Sequence, residues 1–262
     1  MSAFSLAARD SSTMLRRNLL HARRYPSLTL NLLLTPVMML LLFVYVFGDV
    51  MSAGLGGGAD RAAYIAYVVP GILMMTVGGT VVGTAVSVSN DMTEGIIARF
   101  RTMAIHRPSI LVGHVVGSVL QCVMSVLLVG AVAVAIGFRA TGATALEWLA
   151  AFGLTTLIAF ALTWIAVGMG LVSPNAEAAS NNALPLVVLP LISSAFVPID
   201  SMPGWFQPIA EYQPFTPAIE TLRGLLLGTE IGNSAWIVLA WCAGLTVLGY
   251  LWSKSAFHRG AE

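Results

Sequence analysis

The sequence predicts an all-α polytopic membrane protein with six transmembrane helices and with both termini in the cytoplasm. Three observations predict this fold. Of the 262 residues, 57% are hydrophobic and only 10% are charged, whereas soluble domains have about 25% charged residues. The apolar residues form runs of about 20, the length that crosses a bilayer as a helix. The basic residues cluster in segments that such a topology places on one side.

Residues 9–25 are predicted to form an amphipathic interfacial helix. At 100° per residue, the basic side chains share about a third of the helical wheel, and Leu15 and Leu19 lie opposite. A basic helix beside a span typically lies along the anionic cytoplasmic surface. The alternative is a positive-inside anchor with no further role. The basic residues of this helix include Arg16, Arg17, Arg23 and Arg24.

Six apolar runs are predicted as transmembrane spans. They cover residues 28–47, 64–88, 110–136, 148–172, 182–197 and 236–252. Pro36 lies in the first run, and Pro185 and Pro190 lie in the fifth. Membrane helices tolerate such prolines because neighbouring groups satisfy the freed backbone carbonyls. We expect residues 1–262 to form a single transmembrane domain, with no cleavable signal peptide before the first span.

The segment 198–228 is predicted to re-enter the membrane from the outside. It combines several prolines with aromatic residues such as Trp205, Phe206 and Tyr212. Aromatic residues favour the membrane interface, and irregular backbone persists at membrane depth only where protein or water satisfies it. A plain external loop is the alternative.

The distribution of basic residues sets the predicted orientation. With six spans, ten of the 13 Lys and Arg residues lie on the side of the termini, which the positive-inside rule identifies as cytoplasmic. These ten are Arg9, Arg16, Arg17, Arg23, Arg24, Arg99, Arg101, Arg107, Lys254 and Arg259. Arg61, Arg139 and Arg223 lie on the other side.

Residues 91–108 are predicted to be a cytoplasmic loop that docks to a soluble partner. A charged side chain at the bilayer centre costs roughly 2.5–3.5 kcal/mol, so this charged stretch must lie in water. Asp91 is expected to cap a short helix, and Glu94 would complete the capping box. Met92, Ile96 and Phe100 would form its apolar stripe. The alternative is an interfacial helix that only orients the protein.

Two stretches resemble the membrane subunit of ABC-2 type exporters, especially the daunorubicin-resistance-like permeases. The first, 67–116, contains Pro70-Gly71, the D-x-x-x-G element of Asp91 and Gly95, the R-x-R pair of Arg99 and Arg101, and Arg107-Pro108. The second, 196–228, is similar to the external segment of that family. Phe100 stands where the family commonly has Leu, and Ala104-Ile105 replaces a proline-containing turn, so the length of the loop helix stays open.

The resemblance implies an ATP-driven exporter in a bacterial plasma membrane. Two permease copies, as a homodimer, would face each other in the lipid and bind two ABC ATPase subunits. The segment 91–108 would match the coupling helix, and 9–25 the connecting helix. The coupling residues would be Asp91, Glu94, Gly95, Arg99, Phe100, Arg101 and Arg107.

The chain lacks a phosphate-binding loop of its own. That loop requires G-x-x-x-x-G-K-S/T, whose Lys reaches the β- and γ-phosphates. The single lysine, Lys254, follows Ser253 and lies five residues after Gly249, so the motif is absent. The chain is therefore predicted not to be an enzyme itself, and ATP with Mg²⁺ would bind to the partner subunit.

A substrate cavity is predicted between the second and fifth spans of two copies. Met and aromatic side chains give an adaptable apolar wall, and hydroxyl groups add hydrogen bonds. Such a wall suits lipophilic drugs or lipids; a polysaccharide or glycolipid exporter is the alternative within the superfamily. Ordinary helix packing is the alternative for each residue. The candidates are Met74, Met75, Thr76, Thr80, Thr84, Ser193, Ser194 and Phe196.

Other functional classes are less well supported by the sequence. An ion-coupled secondary transporter usually carries ionisable groups at the membrane midplane; here only His114 and a fifth span broken by Pro185 and Pro190 favour one. An intramembrane enzyme would need a His or an acid beside Ser87 or Ser125, and none is predicted at that depth. No channel filter, metal site or nucleic-acid site is predicted.

Overall fold

A computed structural model of the chain describes residues 26–48, 61–95, 108–140 and 142–259. Every regular element within these ranges is helical. The predicted interfacial helix 9–25 lies outside them. In chain order the elements are α1 (Pro26–Leu41, continued by a π-helical turn Leu42–Val46), α2 (Arg61–Thr93), α3 (Pro108–Ala135), α4 (Ala145–Val172), α5 (Ala176–Ala183), α6 (Pro185–Leu191), a 3-10 turn (Ile199–Ser201), α7 (Gln207–Tyr212), α8 (Phe215–Leu227) and α9 (Ser234–Arg259).

Four of the described helices, α2, α3, α4 and α9, are long and apolar enough to cross a membrane. They contain the predicted spans 64–88, 110–136, 148–172 and 236–252, apart from Ile136 at the end of the second of these. The first predicted span, 28–47, coincides with α1 and its π-helical turn, and the apolar stretch Leu34–Val46 lies within it. The structure is therefore that of a polytopic helical membrane protein.

The predicted fifth span, 182–197, is not one helix. The chain there forms the end of α5 and the seven residues of α6, and it then turns at Ile192–Phe196. Pro185 has no N–H to continue the α5 hydrogen-bond ladder, so it begins a new helix, and Pro190 precedes the end of that helix. The sequence indicated that the two prolines could break this span, and the structure shows the division at Pro185.

The centre of the bundle is α2. It packs against α1, α3, α4, α5, α6 and α8, and 72% of its most apolar window is buried, against 17% for α9. The helix is apolar on all sides, as expected for a helix surrounded by protein. The ends of α2 therefore lie where several other elements meet.

Glycine allows α2 to lie close to the α5–α6 region. A Cβ atom on Gly78 would stand 2.4 Å from the carbonyl oxygen of Leu186, and one on Gly71 would stand 2.6 Å from the Cβ of Ala195. These two glycines are seven residues apart, two helical turns, and so they share one face of α2. Small residues let membrane helices pack backbone to backbone, because apolar side chains gain little over lipid.

The segment predicted to be re-entrant, 198–228, folds into the 3-10 turn, α7 and α8. Nearly every residue of α8 from Phe215 to Gly224 is buried, and the helix packs on α2, α4 and α9. Its last turn is closed by Gly228, in the left-handed conformation with φ +74°, whose N–H donates to the carbonyl oxygen of Gly224. Helix α8 is therefore part of the bundle's packed interior, whereas Trp205 and Tyr212, in the preceding part of the segment, are exposed.

The outer helix α9 is held to α4 by close backbone contact and one interhelical hydrogen bond. The Ser253 hydroxyl donates to the Trp164 carbonyl oxygen at 2.9 Å. Interhelical hydrogen bonds in membrane proteins contribute about 0.6 kcal/mol on average and about 1.7 kcal/mol at most.

We therefore expect Ser253→Ala to destabilise the protein within that range, measured as the thermal unfolding midpoint in detergent. Thr156→Val is the matched control, because Thr156 donates only within its own helix, to the Phe152 carbonyl oxygen; an equal loss in both variants would contradict the assignment.

Candidate functional site

The capping role predicted for Asp91 is wrong. Asp91 lies inside the last turn of α2, which continues to Thr93. The helix ends because Gly95 adopts the left-handed conformation, with φ +69°, and its N–H donates back to the Met92 carbonyl oxygen at 3.2 Å. No Pro or Gly lies between Gly83 and Gly95, so the apolar helix extends past Asp91, where the charges begin.

Asp91 instead pairs with His114 of α3. The Nε2 atom of His114 lies 3.1 Å from Oδ2 of Asp91, and both side chains are buried. From the sequence, His114 was considered only as a residue that could favour an ion-coupled transporter, and no acidic partner was predicted for it. The acid was missed because Asp91 was assigned to an aqueous loop. The two residues stand 23 positions apart, so spacing alone gave no signal that they meet.

The other predicted coupling residues divide into two groups. Glu94 is exposed just beyond α2, and Gly95 forms the turn that ends the helix. Arg99, Phe100, Arg101 and Arg107 lie outside the described residues. The coupling role of all of them stays a prediction.

The predicted cavity residues lie mostly inside the bundle of this one chain. Met74 is fully buried and Met75 is partly buried. Thr76, Thr80 and Thr84 are buried, and each donates its hydroxyl to the backbone carbonyl four residues earlier. Their role in a cavity between two copies stays a prediction.

Thr80 and Thr84 face α3 rather than the fifth predicted span. The Thr84 hydroxyl hydrogen bonds with the Ser118 hydroxyl, and Thr80 lies beside Cys122. All four side chains are buried. Hydroxyl groups in an apolar helix typically bond across to a neighbouring helix in this way.

Ser193, Ser194 and Phe196 belong to the turn that follows α6. The Ser193 hydroxyl donates to the Pro190 carbonyl oxygen at 2.5 Å and accepts from the Ala195 N–H at 3.1 Å. The Phe196 ring stacks on Phe43, with centroids 4.1 Å apart. These three predicted cavity residues therefore lie in one turn. Ser194 also takes part in a charged cluster that was not predicted from the sequence.

That cluster, the Arg223 cluster, consists of Arg223, Glu220, Tyr67 and Ser194. Arg223 is 6% exposed. Its Nη2 donates to the carbonyl oxygens of Ser194, at 2.8 Å, and of Tyr67, at 3.1 Å, and its Nη1 donates to Oε1 of Glu220 at 2.8 Å. The guanidinium lies 3.9 Å from the centre of the Tyr67 ring, and the Tyr67 hydroxyl donates to the same Ser194 carbonyl oxygen at 3.0 Å.

The chemistry of the Arg223 cluster explains how a turn survives among apolar helices. The turn at Ile192–Phe196 leaves carbonyl groups without helical partners, and an unsatisfied carbonyl costs about 1–3 kcal/mol where water is absent. Arg supplies several donors in one planar fork and also stacks on an aromatic ring. The signal available in the sequence was Glu220 three residues before Arg223, a spacing that pairs on a helix.

The described residues contain no group of three or more His, Cys, Asp and Glu side chains that could hold a metal ion. Among the described residues, Asp91 pairs with His114 at one end of α2, and Arg223 pairs with Glu220 near the other end.

The sequence matches the ABC-2 type transporter family over residues 10–227. It is 30% identical to the daunorubicin resistance ABC transporter permease protein DrrB1 of Streptomyces coeruleorubidus over 249 residues, which are 94% of this chain and 85% of that protein. It is 23% identical to the probable doxorubicin resistance ABC transporter permease protein DrrC of Mycobacterium tuberculosis over 180 residues, which are 67% of this chain and 64% of that protein.

The matched region includes α1 to α8, and therefore both the Asp91–His114 pair and the Arg223 cluster. The chain belongs to the ABC-2 type transporter family and is a permease subunit of the drug-resistance group of ABC exporters, an integral protein of the plasma membrane.

Proposed function

We propose that this permease moves lipophilic drugs outward across the membrane, using ATP that a separate ABC ATPase subunit hydrolyses with Mg²⁺. The family match over residues 10–227 carries this proposal. The absence of a phosphate-binding loop supports the separate ATPase. The relatives are named for resistance to daunorubicin and doxorubicin, which supports drugs as the substrate class. Lipids are the second substrate class that such a path would accept.

Within the segment 91–108, the part that begins at the exposed Glu94 is the proposed contact with the ATPase, because Asp91 is buried against His114. It joins α2, the central helix, to α3, so a force on it reaches the middle of the bundle. Glu94 is exposed at its start and is available to a partner. We propose that Arg99, Phe100, Arg101 and Arg107 complete this contact, and that the basic segment 9–25, predicted to be an interfacial helix, lies beside the ATPase.

A homodimer of permeases in the lipid fits the surface of the described helices. Large apolar side chains project from α1 and α3 without cover, including Met38, Tyr45, Met124 and Leu127. A contiguous apolar surface of this kind must face lipid or another apolar protein surface. We propose that lipid and a second copy share it.

The proposed topology has six spans with both termini inside. In it α5 and α6 together form the fifth passage, and α7 and α8 re-enter from the outside. The burial of α8 against α2, α4 and α9 supports the re-entrant arrangement, because irregular backbone at membrane depth requires protein around it. The Arg223 cluster then lies towards the outer end of the bundle.

The test of this function is reconstitution with the ATPase encoded beside the chain. The purified complex in lipid vesicles should hydrolyse ATP and should move daunorubicin only when ATP and Mg²⁺ are present. Glu94→Arg should lower ATP-driven transport by about tenfold, because it places a cation where we propose the ATPase binds a carboxylate. Glu230→Arg is the matched control, since Glu230 is exposed in the loop before α9, at the other end of the bundle.

Three outcomes would contradict the proposal. A chain that binds no ATPase would not be a coupled permease. Transport driven by a pH gradient without ATP would instead identify a secondary transporter. If Glu94→Arg and Glu230→Arg lowered ATP-driven transport equally, the segment 91–108 would not be the specific contact with the ATPase.

A further inference from the structure

Three facing pairs of polar or thiol side chains run along the interface between α2 and α3. Asp91 pairs with His114, Thr84 hydrogen bonds with Ser118, and Thr80 lies beside Cys122. Positions 80, 84 and 91 fall within about 40° of one another around α2, and positions 114, 118 and 122 follow one another at single-turn spacing on α3. The pairs therefore form a ladder that extends about 16 Å along α2 and about 12 Å along α3.

The end of the ladder at Asp91 and His114 lies in an apolar environment. The surrounding cluster of buried side chains comes from four helices and consists of Val88, Leu111, Val115, Trp164, Val167, Leu171 and Phe257. An Nε2–H group that donates to a carboxylate forms a charge-assisted hydrogen bond, whether the ring is neutral or protonated. With water excluded, this pair is the strongest of the three rungs.

The position of this pair relative to the segment 96–107 is informative. Asp91 precedes the end of α2 by two residues, and His114 follows the first residue of α3 by six. The pair therefore joins the two helix ends that the segment 96–107 connects. Without such a tie, a force on the loop could splay the two helix ends apart instead of displacing them together.

We propose that Asp91 and His114 are positioning residues that make α2 and α3 move as one lever when the ATPase displaces the segment 96–107. The pair touches neither the drug nor the ATPase in this scheme; it acts by keeping the two helix ends together. This inference rests on the proposed function, since it takes the segment to be the site where the ATPase pushes. It adds residues, Asp91 and His114, through which the push reaches the bundle.

The main test compares export with ATP hydrolysis in reconstituted complexes. Asp91→Ala and His114→Ala should each lower the amount of daunorubicin exported per ATP by about tenfold, while ATP hydrolysis stays within about twofold of the unmodified complex. The double variant should lose less than the sum of the two single losses, because both single variants remove the same Asp91–His114 interaction. The exchange Asp91→His with His114→Asp should restore most of the export.

Thr93→Ala is the matched control. Thr93 lies at the same helix end, is exposed, and donates only to the carbonyl oxygens of Ser89 and Asn90. Thr93→Ala should leave the amount of daunorubicin exported per ATP unchanged. Export and hydrolysis that fall in equal proportion in the Asp91 and His114 variants would show a merely structural role and would overturn the proposal.

A second measurement covers the case in which the alanine variants do not fold. Cys122→Ser and Cys242→Ala provide a background without free cysteines, and Cys122→Ser keeps a hydroxyl opposite Thr80. In this background, Asp91→Cys with His114→Cys should hydrolyse ATP but export little daunorubicin. A short bifunctional thiol reagent that links the two positions should restore the amount of daunorubicin exported per ATP. If the link instead blocks export, α2 and α3 must separate here, and the proposal that they move as one lever is excluded.

Failure of the proposed function would be distinguishable from these outcomes. In that case the unmodified complex would itself show no ATP-driven export.

Discussion

Arg223→Ala is expected to abolish export by unfolding the outer end of the bundle. The variant removes donors to the carbonyl oxygens of Ser194 and Tyr67, at 2.8 and 3.1 Å, and a cation stacked 3.9 Å from the Tyr67 ring. A hydrogen bond from a charged donor contributes about 1.5–3 kcal/mol, so we expect a loss of roughly 3 kcal/mol or more. The measurement is the yield of folded protein and its unfolding midpoint in detergent.

Two companion variants separate the contributions within the Arg223 cluster. Arg223→Lys should recover part of the stability, since it keeps the charge but loses the planar fork that reaches two carbonyls and the stacking on Tyr67. Tyr67→Phe should cost less, because it keeps the ring and removes only the hydrogen bond to Ser194. Arg139→Ala is the control, as Arg139 is exposed beyond α3. Stability that is unchanged in Arg223→Ala would show that the turn after α6 needs no charged donor.

Gly78→Leu is expected to prevent folding of the central helix against α6. Even the first side-chain carbon would stand 2.4 Å from the Leu186 carbonyl oxygen, a backbone atom that cannot rotate away. The smaller change Gly78→Ala should destabilise the protein by about 1–3 kcal/mol, the usual cost of overpacking. Thermal unfolding and protease resistance in detergent measure both variants.

The adjacent residue provides a control on the same helix. A side-chain carbon on Gly79 would meet nothing within 4 Å. Gly79→Ala should therefore leave the stability unchanged or raise it by up to about 1 kcal/mol, since Ala favours a helix over Gly. Equal destabilisation at both positions would mean that the helix itself, and not its contact with α6, requires glycine.

Much of this fold could be predicted from the sequence, because apolar runs of fixed length report directly on membrane helices. The cores of α2, α3, α4 and α9 coincide with predicted spans. The family assignment, predicted from the stretches 67–116 and 196–228, is confirmed by the match over residues 10–227. These features are local, and hydropathy and short motifs capture them.

The features that escaped prediction depend on contacts between distant residues. Asp91 was placed in water because its charge was weighed without a partner, whereas His114 makes burial tolerable. Thr80 and Thr84 were assigned to a cavity because a hydroxyl group does not indicate which neighbour it faces; here Thr84 hydrogen bonds with Ser118 of α3, and Thr80 lies beside Cys122 of the same helix. Arg223 was counted only as an external charge, although its bonds hold a turn 29 residues earlier.

The Ser194 carbonyl sets an order on the biogenesis of this protein. Its two donors come from residues on either side in the chain, Tyr67 127 residues earlier and Arg223 29 residues later. At a synthesis rate of about 5–20 residues per second, Arg223 is made roughly 1–6 seconds after Ser194. During that interval the nascent turn lacks its charged donor, so the turn after α6 can be completed only once α8 has been made.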